Sequence, residues 1–197
     1  MFYMFPRIVK PEVCNKIIKD CMSNDLEIAQ VNDGDGPDSS RDDPDIRKTS
    51  IYWVPTKVSS KANDLAWYFL KQANKEHFHY DLEYFQAIQF AEYKNGGFYD
   101  WHQDSMEPDS KNNLRKLSLS FILSDPDTFE GGELQFWNGT RPMLNHMSKD
   151  EQELTKNDLQ AQGSMIIFDS RDWHRVTPVT KGVRYSVVCW AVGTAFK

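Results

Sequence analysis

The chain has 197 residues, 40% hydrophobic and 13% aromatic, with a formal net charge of −6. That length suits one domain with a substantial core, and the aromatic content excludes global disorder. The acidic balance speaks against a nucleic-acid or anionic-membrane partner, and no apolar run approaches the ~18 residues of a membrane span. Cys14, Cys21 and Cys189 make no disulfide framework: Cys14 and Cys21 sit on one expected helix, roughly 10 Å apart along it, too far to bridge. The opening "MFYMFPRIV" lacks a basic start and is cut by Pro6, so it does not read as a signal peptide. A reducing cytoplasm is the expected compartment.

"KPEVCNKIIKDCMSN" reads as a first helix, with Pro11 in its first turn and Val13, Ile17, Ile18 and Cys21 at helical spacing. "DGDGPDSSRDDPD" (33–45) holds six Asp, two Gly and two Pro and reads as a loop. Asp33 and Asp35 begin it like a calcium loop, but Asp38 stands where the turn needs Gly and Pro44 where a bidentate Glu belongs. "IRKTSIYWVP" follows as a strand ending at Pro55. "SSKANDLAWYFLKQANKEHF" reads as a second helix, opened by a serine cap and striped by Leu65, Phe69, Leu70 and Ala73.

Short strands and turns then take over: "YFQAIQFAEY", "LSLSFILS", "GGELQFW", "GSMIIFD", "WHRVTPV" and "RYSVVCWAV". Leu117, Leu119, Phe121 and Leu123 alternate cleanly. A capping-box pattern at Ser148 and Glu151 marks a short helix inserted before Gly163. Helices first and many short strands after them predict a mainly β fold: a jelly-roll core over about 81–197, carrying an N-terminal helical layer over about 1–80. A ligand site is expected in its mouth.

In "DWHQDS", His102 and Asp104 are two apart, so on a strand they project from one face. Only five histidines are present. His77 and His79 sit at a helix end and read as packing or surface, and His146 lies in a polar insertion. His174, after the apolar strand "MIIF", completes a two-His-one-carboxylate set of the kind used for non-haem Fe(II), leaving metal positions open. On these three residues alone a zinc or structural site remains open. Arg184, ten residues past His174, shifts the balance, because Ser186 shares its strand face. A buried guanidinium needs an acid, and this fork beside a hydroxyl suits the far carboxylate of a small metal-chelating dicarboxylate.

These segments together resemble the Fe(II)- and 2-oxoglutarate-dependent dioxygenases, in particular their prolyl-hydroxylase branch, from about Ile46 to Val192. "YKNGGFYDWHQD" is similar to the family's His-x-Asp segment, "FEGGEL" to its acidic Gly-Gly turn, and "GSMIIFDSRDWHRVTPVTKGVRYSVVCW" to its distal His and Arg block. The resemblance implies a double-stranded β-helix (jelly-roll) fold with Fe(II) on His102, Asp104 and His174. It also implies 2-oxoglutarate on Arg184, with Tyr93 facing the cosubstrate and Tyr99 near the metal. Arg184 and Trp190 resemble the hypoxia type; collagen-type enzymes commonly carry Lys at the former. The superfamily's nucleic-acid demethylases carry a second Arg where Trp190 stands, which speaks against base repair.

The implied reaction consumes O2 and 2-oxoglutarate, releases succinate and CO2 and hydroxylates a substrate carbon, with ascorbate as a possible reductant. The implied substrate is a prolyl residue of a protein or peptide. Trp53 and Trp190 offer flat surfaces for its ring, and the 33–50 segment reads either as a lid over the substrate or as a plain acidic loop. Lysyl residues, a free amino acid or another small molecule remain as alternative substrates, and a non-catalytic 2-oxoglutarate-binding module as an alternative class. The sequence carries no signal of oligomeric state.

Overall fold

The computed structural model describes residues 2–32, 40–105, 107–137 and 157–195. In chain order the elements are β1 (Phe2–Phe5), α1 (Pro11–Met22), β2 (Glu27–Ile28), β3 (Val31–Asn32), β4 (Ser40–Arg41), β5 (Arg47–Lys48), β6 (Ser50–Val54) and α2 (Ser60–Ala73). A π-turn over Asn74–Phe78 leads to β7 (Tyr84–Phe85), β8 (Ile88–Lys94), β9 (Phe98–His102) and β10 (Asn113–Ile122). The last are β11 (Phe129–Gly131), β12 (Leu134–Phe136), β13 (Met165–Asp169), β14 (His174–Val176) and β15 (Val179–Thr194).

The strands form a large sheet in the order β1-β13-β10-β15-β8-β6-β2, with β7 and β11 also paired to β15, and a smaller sheet in the order β12-β14-β9-β5. Every pairing in them is antiparallel. The chain is mainly β, its two sheets forming a jelly roll with helices laid against the outside. No helix among the described residues is long and apolar enough to cross a membrane.

α1 begins at Pro11, whose missing N–H costs nothing in the first turn. It ends where the Asn24 side chain donates to the carbonyls of Asp20 and Cys21. α2 is capped by Ser59, whose hydroxyl accepts from the Ala62 N–H at 3.3 Å. Its inward face is mostly alanine (Ala62, Ala66 and Ala73 around Leu70), which lets the helix lie close to the sheet. Leu65 and Phe69, expected on the stripe, pack at its margin. His79 stops the π-turn in a left-handed conformation (φ 57°), and the Asn74 side chain holds both backbone groups of Tyr80 at 2.9 Å.

The alternation of Leu117, Leu119 and Phe121 is present in β10, but this apolar face is turned to the helices. Ser118 and Ser120 point the other way, between the sheets, opposite Trp190 and Val188 of β15. A large sheet buried on both faces has room for polar residues on the side that lines a cavity. Phe136, Phe168, Val176 and Ile166 pack the rest of that intersheet layer.

Two features depart from expectation. "IRKTSIYWV" is not one strand: β5 pairs with β9 of the small sheet and β6 with β8 of the large one. The break falls at Thr49, whose hydroxyl donates to the Phe98 carbonyl at 3.2 Å, so the segment bridges both sheets. The stretch before residue 80 thus supplies sheet strands as well as both helices. Within the acidic segment, Ser40–Arg41 pairs with Val31–Asn32 as a short ladder. Asp33, Asp35 and Asp38, His146 and the Ser148–Glu151 pattern lie outside the described residues.

Candidate active site

The small sheet brings the histidines together. β14 and β9 are antiparallel neighbours, and His174 stands directly opposite His102 in the register. Asp104 lies just past the end of β9 rather than on it, so the same-face argument is replaced by a bend that turns the carboxylate back. The bend is held by the Ser105 N–H donating to the Ser170 carbonyl at 2.8 Å and by the Gln103 side chain donating to the Arg171 carbonyl. One ligand atom from each of His102, Asp104 and His174 lies within 4.8 Å of the others. Each histidine Nε2 is 3.6 Å from an Asp104 oxygen.

These residues fit a metal on their own chemistry. His102 Nδ1 lies 2.7 Å from the Asp100 carbonyl and His174 Nδ1 2.9 Å from the Asp172 carbonyl. A carbonyl can only accept, so both rings carry their proton on Nδ1 and leave the Nε2 lone pair for a metal. Asp104 is buried and its Oδ2 has no hydrogen-bond partner, a costly state that a cation would relieve. Burial pushes His174 down to about 4, aided by His102 and opposed by Asp104. Burial would raise the Asp104 carboxyl, but His174, His102 and Arg115 outweigh it and hold it well below the usual range.

A pH dependence follows for the metal-free chain. Unfolded imidazole titrates near ~6.5, whereas folded His174 does so at about 4. Between these values the unfolded chain takes up the proton and the folded chain does not. Stability is therefore lost as pH falls through this window, by on the order of 3 kcal/mol. Urea unfolding with a chelator, above and below the window, should show this slope and show it reduced in His174→Asn. An equal slope in that variant would assign it to other groups.

The triad opens onto a cavity of about 440 Å³ between the sheets. Arg184, 2% exposed, lies in it beside Tyr93, its opposite number on β8. Its guanidinium donates to Ser186 Oγ at 3.1 Å and sits 5.3 Å from the Tyr93 ring centre; among the described residues no carboxylate meets it. Burial pushes it below its ordinary value, but a guanidinium stays charged. Tyr99 stacks on His102 with ring centres 3.5 Å apart, and burial pushes its phenol up to about 12. Trp53 and Trp190 also line the cavity, 6.0 Å apart between ring centres. Every site residue expected from the sequence is thus brought to one cavity, while His77 packs against the rings of Tyr3 and Phe78 on the helical side.

The sequence reading missed Arg47, Gln89 and Arg115, all of which line the cavity. It also left the Gly-Gly turn without a job. A Cβ on Gly131 would lie 2.1 Å from the Pro178 carbonyl oxygen, and one on Gly132 2.7 Å from Arg184 Cδ. With φ of +77° and +64°, both positions favour glycine, and the second leaves room for the arginine.

A jelly roll that brings two histidines and a carboxylate into one cavity with a buried arginine, met by no described carboxylate, has the donor set for one metal ion and a place for a dicarboxylate. The chain belongs to the 2OG-Fe(II) oxygenase superfamily, whose family model matches residues 88–192. It is similar to a PKHD-type hydroxylase of Teredinibacter turnerae, with 35% identity over 52% of this chain and 41% of the relative. A PKHD-type hydroxylase of a Synechococcus species is 37% identical over 48% and 36% respectively. The matched stretch thus spans about two-fifths of these curated relatives.

Among solved structures, a Trichoplax adhaerens prolyl hydroxylase in complex with a hypoxia-inducible-factor peptide fragment superposes with a TM-score of 0.72. The identity is 16%, over 96% of this chain and 82% of that one. The viral collagen prolyl hydroxylase of Paramecium bursaria Chlorella virus-1, as its 2OG complex, gives 0.68 at 17% identity over 98% and 96%. A Pseudomonas putida prolyl-4-hydroxylase gives 0.66 at 20% over 96% and 91%.

Proposed function

We propose that this chain is an Fe(II)- and 2-oxoglutarate-dependent oxygenase that hydroxylates prolyl residues of a protein or peptide. His102, Asp104 and His174 hold the iron, Arg184 with Ser186 receives the distal carboxylate of 2-oxoglutarate, and Tyr93 lines that end. The observation that carries this reading is the buried Arg184, without an acid partner, in the same cavity as the three ligands. Iron bound there, with 2-oxoglutarate and O2, supplies the oxidising power that couples release of succinate and CO2 to hydroxylation of a substrate carbon. The chain's own residues orient and shield. The Asp100 and Asp172 carbonyls fix the two imidazoles, Tyr99 covers one face of His102, and the Arg184–Ser186 pair sets the direction of the cosubstrate.

The prolyl assignment rests on the names of the structural neighbours, one of which is a complex with a peptide. Trp53 and Trp190 suit a pyrrolidine ring. We read the whole chain as one catalytic unit, with ascorbate as a reductant. Its three free, buried cysteines suit a reducing compartment such as the cytoplasm.

Mass spectrometry across a peptide library, with Fe(II), ascorbate and 2-oxoglutarate, is expected to find a one-oxygen gain confined to proline. A gain on lysyl peptides or free amino acids instead would move the substrate and keep the chemistry. Gly132→Ala should press on Arg184 and weaken 2-oxoglutarate binding by about 1 kcal/mol or more, roughly fivefold. Calorimetry would check this, and an unchanged affinity would show that Arg184 can shift without cost.

A further inference from the structure

The cavity contains two guanidinium groups that the chemistry above does not use. Arg47, 8% exposed, donates to Gln89 Oε1 at 2.8 Å and to the Gln30 carbonyl at 3.4 Å, while its Nε has no partner. Its Cζ sits 4.4 Å from the centre of the Tyr99 ring, which in turn stacks on His102. Arg115 lies 3.9 Å from the centre of the Trp190 ring, donates to Gln86 Oε1 at 2.8 Å and reaches the Asp104 backbone carbonyl at 3.5 Å. Every one of these acceptors is a neutral oxygen.

Charge in the cavity does not balance without a further anion. The metal ion and Arg184 are met by Asp104 and the two carboxylates of 2-oxoglutarate. Arg115 feels the Asp104 carboxylate, but that group is committed to the metal. Glu27, the other acid lining the cavity, is exposed at its rim. Among the described residues, Arg47 and Arg115 therefore remain beside the metal ligands with no counter-charge of their own, a costly arrangement unless a ligand completes it.

The distal carboxylate that Arg184 receives does not reach Arg115. Arg184, Ser186, Val188 and Trp190 lie on one face of β15, so the Cα atoms of Arg184 and of Trp190, against which Arg115 packs, are roughly 20 Å apart. We propose that Arg47 and Arg115 form a receptor for a carboxylate carried by the substrate close to the residue that is oxidised. The proposal rests on the hydroxylase reading above and narrows its substrate class. The carboxylate comes either from an Asp or Glu side chain flanking the target proline or from a free main-chain carboxylate.

The test compares matched substrates on the protein loaded with Fe(II) and 2-oxoglutarate. Proline peptides with a flanking Asp or Glu are paired with their Asn or Gln counterparts, and free proline is paired with prolinamide. The acid is expected to be favoured by at least about tenfold in kcat/KM in one series, which names the source of the carboxylate. Arg47→Gln and Arg115→Gln should bring that ratio towards one. If the arginines only brace Tyr99 and Trp190, both members of each pair fall together and the ratio survives, which overturns the proposal.

Binding without O2, read by calorimetry, gives the same ratio independently of turnover. A preference in binding without any hydroxylation would keep the receptor and reject the prolyl reaction. Absence of any charge preference in both series overturns the receptor.

Discussion

Asp104→Ala is expected to reduce iron-dependent turnover to background while the chain stays folded. Loss of an outer partner of a metal ligand already costs 10–100-fold in affinity, so loss of a ligand should cost at least ~100-fold. Two neutral imidazoles cannot replace the charge that the carboxylate supplies. The fold should tolerate the change, because Asp104 Oδ2 is a buried oxygen without a hydrogen-bond partner. The backbone contacts of the bend, Ser105 to Ser170 and Arg115 to the Asp104 carbonyl, do not involve the side chain. Metal-free melting should shift only modestly, since removing a buried desolvated carboxylate offsets the loss of its attraction for Arg115. An Asp104→Ala protein that still binds one iron and consumes 2-oxoglutarate would place the metal elsewhere.

Arg184→Ala should separate binding from stability in the opposite directions expected of a ligand clamp. It removes a bidentate charged contact worth about 1.5–3 kcal/mol, so 2-oxoglutarate affinity should fall at least roughly tenfold. The metal-free chain, in contrast, loses a fully buried guanidinium whose side-chain hydrogen bond goes to Ser186 Oγ. Its melting temperature should hold or rise unless the new cavity offsets the gain. Arg184→Lys should fall between, keeping the charge and losing the fork. Calorimetry with thermal melts on the same samples decides the matter. A large loss of stability with unchanged 2-oxoglutarate affinity would make Arg184 a structural residue.

The candidate site was legible where its members are spaced by strand geometry, and the bend that turns Asp104 back was not. Arg184 and Ser186 alternate on β15, and His174 follows an apolar strand that the sequence marks plainly. The helices were legible from Pro11 at the start of the first, the serine cap of the second and the apolar spacing of both. What escaped depends on contacts between strands distant in sequence. Arg115 precedes the alternating run of Leu117 and Leu119 and by that period shares their face. A bulge between Arg115 and Leu117 instead re-aims it onto Trp190 on the opposite side. Arg47 was hidden because "IRKTSIYWV" reads as one strand, whereas the chain changes sheets at Thr49 and leaves Arg47 opposite Tyr99. The Gly-Gly turn needed the position of Arg184 before its absent side chains made sense.

The most direct measurement of the central claim is turnover under isotopically heavy O2, with the oxygen atoms followed by mass spectrometry. The wild-type chain, supplied with Fe(II), 2-oxoglutarate and a hydroxylatable proline peptide, should place one heavy atom in succinate and one in the peptide in equal amounts. Asp104→Ala should yield neither. Hydroxylated peptide carrying oxygen from water, or product formed without matching succinate, would contradict the assignment of this cavity as a 2-oxoglutarate-dependent dioxygenase site.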